Sequence, residues 1–579
     1  MNDQTRPRRQ ALRRYPALAF LVVAAVLAVA LPSALNIPNA GPPTLAEFAP
    51  VPGRAEQSGG DLARLGSGSS GDLGFGTGDG GAGIAPSLDP GQPGGARKRC
   101  VGSPPRQTED MLSPPCVAFF EGDNGGATTR GVTRDEIVVV LSMENDESPH
   151  FVDYAEPITD EEYAVRGGPL HENKVAKAYM RYFNDRYQTY GRTVHLYGYY
   201  GRQPGSGEGA GAAARADLIE IEREKKPFAL IPQRPDKGEY FATEAPRKDI
   251  LTVMHQGFNR GLYQRNAPYL ISYAPDTTDT ARIAASYLCR KLNGRDARFS
   301  GEVTDQSTLR TFGILYTQRP GTHLNKDLVR LFKERVRREC GVDISSTKEI
   351  AGAGQATYDD YPVALAQMRS EGVTTVIPIL DTGASPFLLN GANAIGWHPE
   401  WFFFRLGTGD LPDDARSARI LPQDQWQHAF GMTFDYRRAH ASRQHWYLAL
   451  QEACPDCGQP TGEDASLMYE TLTMLFYGIQ AAGPRLTADT LDRGLHAIPE
   501  RPSTSPYVPA TYFTPGNYSW VKDAKMMWWD PAGQVEGENA VGCYRLPHEG
   551  KRYRNGEWPR GDRDLFSGSP SCQGTPAFA

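Results

Sequence analysis

Residues Gly131–Met143 read GVTRDEIVVVLSM. Thr133, Arg134 and Asp135 form a polar lead-in to Ile137–Leu141, a short run with no polar residue. A strand that apolar is buried on both faces, as in a parallel sheet covered by helices. Ser142–Pro149 follows as an acidic loop at the carboxyl end of the strand, where open α/β sheets place their ligands. Upstream segments have the composition of delivery apparatus, and downstream segments that of a folded body.

Working outward, His171–Tyr190 puts Val175, Tyr179, Tyr182 and Phe183 on one helical face, with Gly191 as the stop. Val194–Tyr199 reads as a second strand, Ala212–Glu224 as a helix, and Phe228–Ile231 and Leu251–Met254 as further strands. This alternation predicts a parallel, doubly wound sheet. The pattern then restarts with a helix over Thr278–Leu292, a strand over Phe312–Tyr316 and a helix over Leu324–Cys340. Val376–Leu380, Ala384–Ile395 and Trp401–Leu406 continue it as strand, helix and strand. Pro378 cannot donate to a ladder, which argues against a central place for its strand. Ser442–Ala453 and Asp464–Ala482 are helical by periodicity, and Lys525–Trp529 and Val541–Leu546 read as late strands. Two α/β halves without a long flexible linker form a cleft, a preferred ligand site.

A chain of 579 residues is too long for one ordinary core. Its formal net charge of -6, from 62 Lys+Arg against 68 Asp+Glu, gives no general reason to expect nucleic acid, which demands a basic surface. Arg6, Arg8, Arg9, Arg13 and Arg14 precede the apolar stretch Ala17–Leu31, the pattern of an export signal. Ala28-Val29-Ala30 offers a cleavage site, while Leu31–Leu35 prolongs the stretch toward a membrane span. Residues 1–36 therefore read as a signal peptide or a membrane anchor, with membrane contact through this segment if it is uncleaved. Residues 37–99, rich in Gly, Pro and Ser, cannot bury enough to fold and read as a disordered linker. As a coil of about 60 residues it would span roughly 45 Å.

Eight cysteines behind an export signal suggest disulfides, though they allow about 105 pairings. Order along the chain suggests Cys100–Cys116, Cys289–Cys340, Cys454–Cys457 and Cys543–Cys572. Cys454-Pro-Asp-Cys457 has zinc or redox half-site spacing, but no second pair lies nearby, so a structural disulfide is the better reading. No His-Glu-x-x-His, Gly-x-Ser-x-Gly or Gly-Lys-Ser/Thr phosphate loop is present, and His171-Glu172 has no second His at the required offset. Neither an enzyme nor a metal or cofactor is expected.

The order of GVTRDEIVVV, AYMRYFNDRYQTYGRTVHL, RADLIEIEREKKPFALI, YAPDTTDTARIAASYLCRKLNG and FGILYTQRPGTHLNKDLVRLFKERV resembles the type I periplasmic binding fold. Within it, the chain is most similar to leucine/isoleucine/valine-binding-like solute-binding proteins of ABC transporters. SPPCVAFFEGDNGGATTRGVT looks like the pre-domain segment of exported actinobacterial members. The likeness runs from about Cys100 to Trp558. It implies an α/β fold of two doubly wound parallel-sheet lobes joined by a hinge. Residues 100–130 would be the pre-domain segment, 131–270 the first part of lobe 1 and 271–435 the main part of lobe 2. Residues 436–558 would return to lobe 1 and supply closing elements, and 559–579 would form a C-terminal tail.

It further implies an extracytoplasmic binder, secreted or tethered to the outer face of the cytoplasmic membrane, that closes on a small-molecule solute and offers it to an ABC permease. Ligand contacts would come from loops at strand carboxyl ends: Ser142, Glu144 and Asn145; Pro232 and Gln233; Ser272 and Tyr273; Asp381 and Thr382. Each has a plainer reading, since Glu144, Asp146 and Glu147 can form a solvated acidic loop and Thr382 can cap the next helix. Arg234 and Lys237 could face an anion or solvent, and Trp401–Phe404 reads as core. The family's amino-acid binders carry Gly-x-x-x-Ser after the third strand, but here IPQRPDKGEYFATEAP contains no serine. That departure puts a branched-chain amino acid in doubt and leaves another amino acid, an amide or a similar polar metabolite. A ligand sensor on the same fold and an α/β hydrolase are the alternatives.

Overall fold

In the computed structural model the run Ile137–Leu141 forms the heart of strand β1 (Glu136–Asp146). Val139 and Leu141 pack into one apolar cluster and Val140 into another on the opposite face, so the strand is covered on both sides. The structure describes residues 106, 113–117, 120–146, 148–165, 169–204, 209–233, 237–318, 323–352, 359–381, 383–404, 421–434, 444–457, 464–504, 508–534 and 541–568. The expected signal or anchor (1–36) and linker (37–99) lie outside these residues, as do Cys100, Cys572, Glu147, Arg234 and Thr382.

The first sheet adds β2 (His150–Asp153), β3 (Thr193–Arg202), β4 (Ala229–Pro232), β5 (Leu251–Met254) and β6 (Leu270–Ser272), in the spatial order β2-β3-β1-β4-β5-β6. All its pairs are parallel except β2 with β3. Helices α1 (Asp160–Ala164), α2 (Pro169–Arg186), α3 (Ala210–Lys225), α4 (Gly238–Glu244) and α5 (Arg260–Asn266) connect its strands. The chain reverses order beside β1, the topology that places ligands at strand carboxyl ends. Gly131, at φ +66°, is required here, because a Cβ would lie 2.1 Å from the Phe228 backbone nitrogen.

After β6 the chain crosses to a second sheet through α6 (Thr277–Tyr287). There β7 (Phe312–Gln318), α7 (Leu324–Cys340), β8 (Ser346–Ala351), α8 (Asp360–Ser370), β9 (Thr375–Ile379), α9 (Ser385–Ala394), β10 (Glu400–Phe403), α10 (Gln423–Trp426) and β11 (Ala429–Thr433) follow. The expected helix over Thr278–Leu292 is α-helical only to Tyr287, and Leu288–Leu292 is a π-turn. Helices α11 (His445–Ala453), α12 (Asp464–Ala482) and α13 (Ala488–Ala497) then pack on the first sheet, where Phe476 stacks on Phe183 of α2 at 5.0 Å. The chain crosses once more, and β12 (Ala524–Gln534), β13 (Val541–Arg545) and β14 (Arg552–Tyr553) join the second sheet, ordered β13-β12-β11-β10-β9-β7-β8 with β14 on β12. The result is an α/β fold of two doubly wound lobes.

Three expectations are corrected. Ser142–Pro149 is not one loop, because β1 continues to Asp146 and Asn145 pairs with Gly201. Pro378 does sit in a central strand, since β9 lies between β7 and β10. This is tolerated because pairing with β10 ends at Val376, leaving Pro378 opposite only Leu315 of β7. The sheets are not wholly parallel either: β2, β12, β13 and β14 run antiparallel at the edges.

The start of the expected tail is packed, with Leu565 and Asp562 buried and Asp562 paired to Arg310 at 2.9 Å. Arg310 also forks onto Glu400 at 2.7 and 2.9 Å, and both side chains are fully enclosed. Cys289 is joined to Cys340 and Cys454 to Cys457, with Cα atoms 5.6 and 5.3 Å apart. Cys116 and Cys543 are disulfide-bonded as well.

The pre-domain segment is stitched to lobe 1 at the amino end of β1. Arg192 donates to the carbonyls of Thr133, Asn124, Gly126 and Pro484, and the Asn124 amide donates to Arg134 and Tyr190. Among the described residues no helix is long and apolar enough to cross a membrane.

Candidate functional site

The carboxyl edges of the two sheets face each other. Glu239, in the first turn of α4 after β4, accepts from the His323 backbone N–H at 3.0 Å, and His323 precedes α7 after β7. Asn259, the N-cap of α5 after β5, donates to Asp327 of α7 at 3.1 Å. Elements that follow strand carboxyl ends in one lobe therefore touch those of the other, which bounds a candidate site between them.

On the lobe 1 side, the end of β5 delivers His255. Its Nε2 lies 2.5 Å from Glu470 of α12, whose side chain is only 2% exposed, while His255 is 26% exposed. The imidazole stacks on Tyr273, at the end of β6, with ring centroids 5.6 Å apart, and Tyr273 meets Trp520 edge-on. A partly open imidazole is thus held in place by a buried carboxylate and an aromatic ring. That arrangement can present one ring nitrogen to a polar solute.

The sequence reading missed both His255 and Glu470. A histidine directly after the apolar run Leu251–Met254 was an available signal, because that is a strand carboxyl end. Glu470 is 215 residues away and marked only by being an acid inside an apolar helix.

Of the residues expected from sequence, Ser142, inside β1, is paired with Pro232 at the end of β4, and the Gln233 N–H donates to the Ser142 carbonyl at 3.0 Å. All three are buried. Glu144 and Asn145 extend β1, and only their backbone belongs to the described structure. Ser272 is fully buried and donates to the Ala274 carbonyl, so it is sealed from the space between the lobes, whereas its neighbour Tyr273 supports His255. Asp381 follows β9, where it accepts from Asn325 at 3.2 Å and its N–H donates to Thr317 Oγ1 at 2.7 Å. Lys237 points neither at solvent nor at an anion site, being buried against Asp217 at 2.7 Å. Trp401, Phe402, Phe403 and Phe404 are buried in the core. Among the described residues no group of His, Cys, Asp and Glu is arranged to hold a metal ion.

Two of the crossings between lobes run side by side. Ser272 and Ser519 are bridged, and Val521 N–H donates to the Tyr273 carbonyl. A buried charge cluster pins them: Arg260 contacts Asp276 at 2.6 Å and Asp279 at 2.7 Å, and Asn517 donates to Asp279 at 2.7 Å. Lys522 sits 3.7 Å from Asp279 and donates to the Ser519 carbonyl. Burial and the neighbouring Asp279 push the Asp276 carboxyl up. Burial acts on Asp279 in the same sense, but Lys522 and Arg260 outweigh it and hold this carboxyl below its usual range. Burial lowers the Lys522 ammonium to about 8. Segments this tightly joined can act as a hinge while the carboxyl edges separate.

No protein-family model matches the chain, and no curated protein matches it. Among solved structures it is similar to an ABC transporter substrate-binding protein from Aeropyrum pernix at 12% identity and TM-score 0.49, covering 73% of this chain and 96% of that one. A solute-binding protein of an R. palustris ABC transporter in complex with 4-hydroxybenzoate is similar at 12% identity and TM-score 0.48, covering 73% and 99%. The branched-chain amino acid transporter substrate-binding protein LivJ from Streptococcus pneumoniae, in complex with isoleucine, is similar at 13% identity and TM-score 0.45, covering 71% and 99%. Likeness at this level adds nothing to what the topology itself establishes: the chain is an α/β protein of two doubly wound lobes.

Proposed function

We propose that this chain is an extracytoplasmic solute-binding protein that captures a small polar metabolite between its lobes and delivers it to an ABC import permease. The observation that carries the reading is the meeting of two strand carboxyl edges across a hinge of paired crossing segments. A solute adds to the closed state's stability only when it touches both lobes, since equal affinity for both states shifts nothing. His255 supplies a polar contact from lobe 1, and Asp381 one from lobe 2. A solute with a carboxylate or carbonyl toward His255 and an ammonium or amide N–H toward Asp381 suits that pair, which describes an amino acid or amide.

A thermal-shift screen of amino acids, amides and small acids tests this. A ligand at a hundred times Kd stabilises by about 2.7 kcal/mol, so the unfolding midpoint should climb with concentration. His255→Ala should weaken the responding solute's Kd by roughly tenfold, the worth of one polar contact. No shift with any class, together with turnover of an ester or amide, would replace the binder with a hydrolase.

A further inference from the structure

Helix α7 opens with an unusual arrangement. Its N-cap residue, His323, contributes no side-chain cap, although the first N–H groups of a helix need acceptors. The acceptor comes from the other lobe: both oxygens of Glu239 receive the His323 N–H, at 3.0 and 3.3 Å, and the Leu324 N–H also reaches this carboxylate. A carboxylate at that end is further favoured by the helix dipole. Two more contacts cross at the same place. Asn259 donates to Asp327 in the first turn of α7, and Leu324 packs against the lobe 1 cluster containing Met254, Phe258 and Tyr263.

We propose that Glu239 is a cap supplied across the cleft, and that with Asn259 and the Leu324 contact it latches the lobes together when no solute is present. A solute must then reach its site past the latch, and release of the cap is part of opening. The latch differs from solute binding in needing nothing but the chain itself, so it stands on contact geometry and not on the function proposed above. Glu239 pays a cost for this role: burial pushes its carboxyl above the usual range, opposed by the N–H groups it accepts from.

Pulsed EPR on the full chain without added ligand tests the latch. Spin labels on Ile219→Cys of α3 and Val363→Cys of α8 place one probe on an exposed position of each lobe, 58% and 57% exposed. The unaltered latch should give a dominant short-distance population. Glu239→Ala and Asn259→Ala, made separately, should each move the short-to-long ratio toward long distances by roughly tenfold, since each removes a hydrogen bond between an uncharged N–H and a carboxylate. Together they should move it further. A single cooperative thermal transition in each variant, lowered by no more than the loss of one cap allows, confirms that the chain remains folded. A double variant with the same distance distribution as the parent overturns the latch. Because no solute is used, a failed ligand screen and a failed latch are separate results.

Discussion

Replacing Glu400 with glutamine should be among the most damaging isosteric changes available to this protein. Four donors converge on the two carboxylate oxygens. Oε1 accepts from the Phe299 N–H at 3.1 Å and Arg310 Nη2 at 2.9 Å, and Oε2 accepts from Arg310 Nε and the Thr375 hydroxyl, both at 2.7 Å. An amide nitrogen facing Phe299 orphans two N–H donors. Turned the other way it can donate to a rotated Thr375 hydroxyl, but it still orphans Arg310 Nε. Each orphaned buried donor costs about 1–3 kcal/mol, and the guanidinium retains only Asp562, at 2.9 Å, as a charged partner. The expected loss is about 3–5 kcal/mol, the range for breaking a buried ion pair from one side. Urea unfolding followed by tryptophan fluorescence reads it directly, because Trp397, Trp401, Trp426, Trp529 and Trp558 are all fully buried in lobe 2. The double change Arg310→Met, Glu400→Leu should cost less than the two single changes added together. A Glu400→Gln variant within about 1 kcal/mol of the parent would refute the view that this fork braces the lobe.

The Cys289–Cys340 link closes 51 residues, and its loss through paired alanine substitution should lower lobe 2 stability by about 4 kcal/mol on a chain-entropy basis. The same change at Cys454–Cys457, three residues apart, should cost clearly less in the same urea titration. His496 gives a pH test. Burial works against its charged form, but the Asp492 side chain 3.0 Å from Nδ1 prevails and raises the imidazole above its ordinary value. A raised folded value means the contribution is fully present below about pH 6.5 and fades as the pH rises through that folded value. The midpoint difference between the parent and His496→Gln should therefore be largest in mild acid and shrink above neutrality; a difference that grows with pH would contradict the pairing.

Much of the architecture was readable because its signals are local. Leu251–Met254 and Leu324–Cys340 are strand and helix at the limits their periodicity marks. The elements that escaped are short or polar: β2 is four residues at a sheet edge, and β8 reads STKEIA, with lysine and glutamate on a strand that other strands cover on one side only. Neither offers an apolar run to notice. The candidate site was less legible for a different reason. Loops after strand ends could be located, but the contacts that give them chemistry join distant residues, as with His255 and Glu470 or Glu239 and His323. Ser272 shows the converse, since position in sequence made it a candidate while a second crossing segment buries it.

The stitching of Arg192 has a practical reach beyond the lobes. A shortened gene product starting at Gly131 would look complete by secondary structure, since every strand and long helix would be retained. It would nonetheless strip the guanidinium of the Asn124 and Gly126 carbonyls, half of its four acceptors, and leave Gln480 without the Pro115 carbonyl it now meets at 3.0 Å. The natural boundary for expressing the folded body therefore lies upstream of Ser113, not at the first strand.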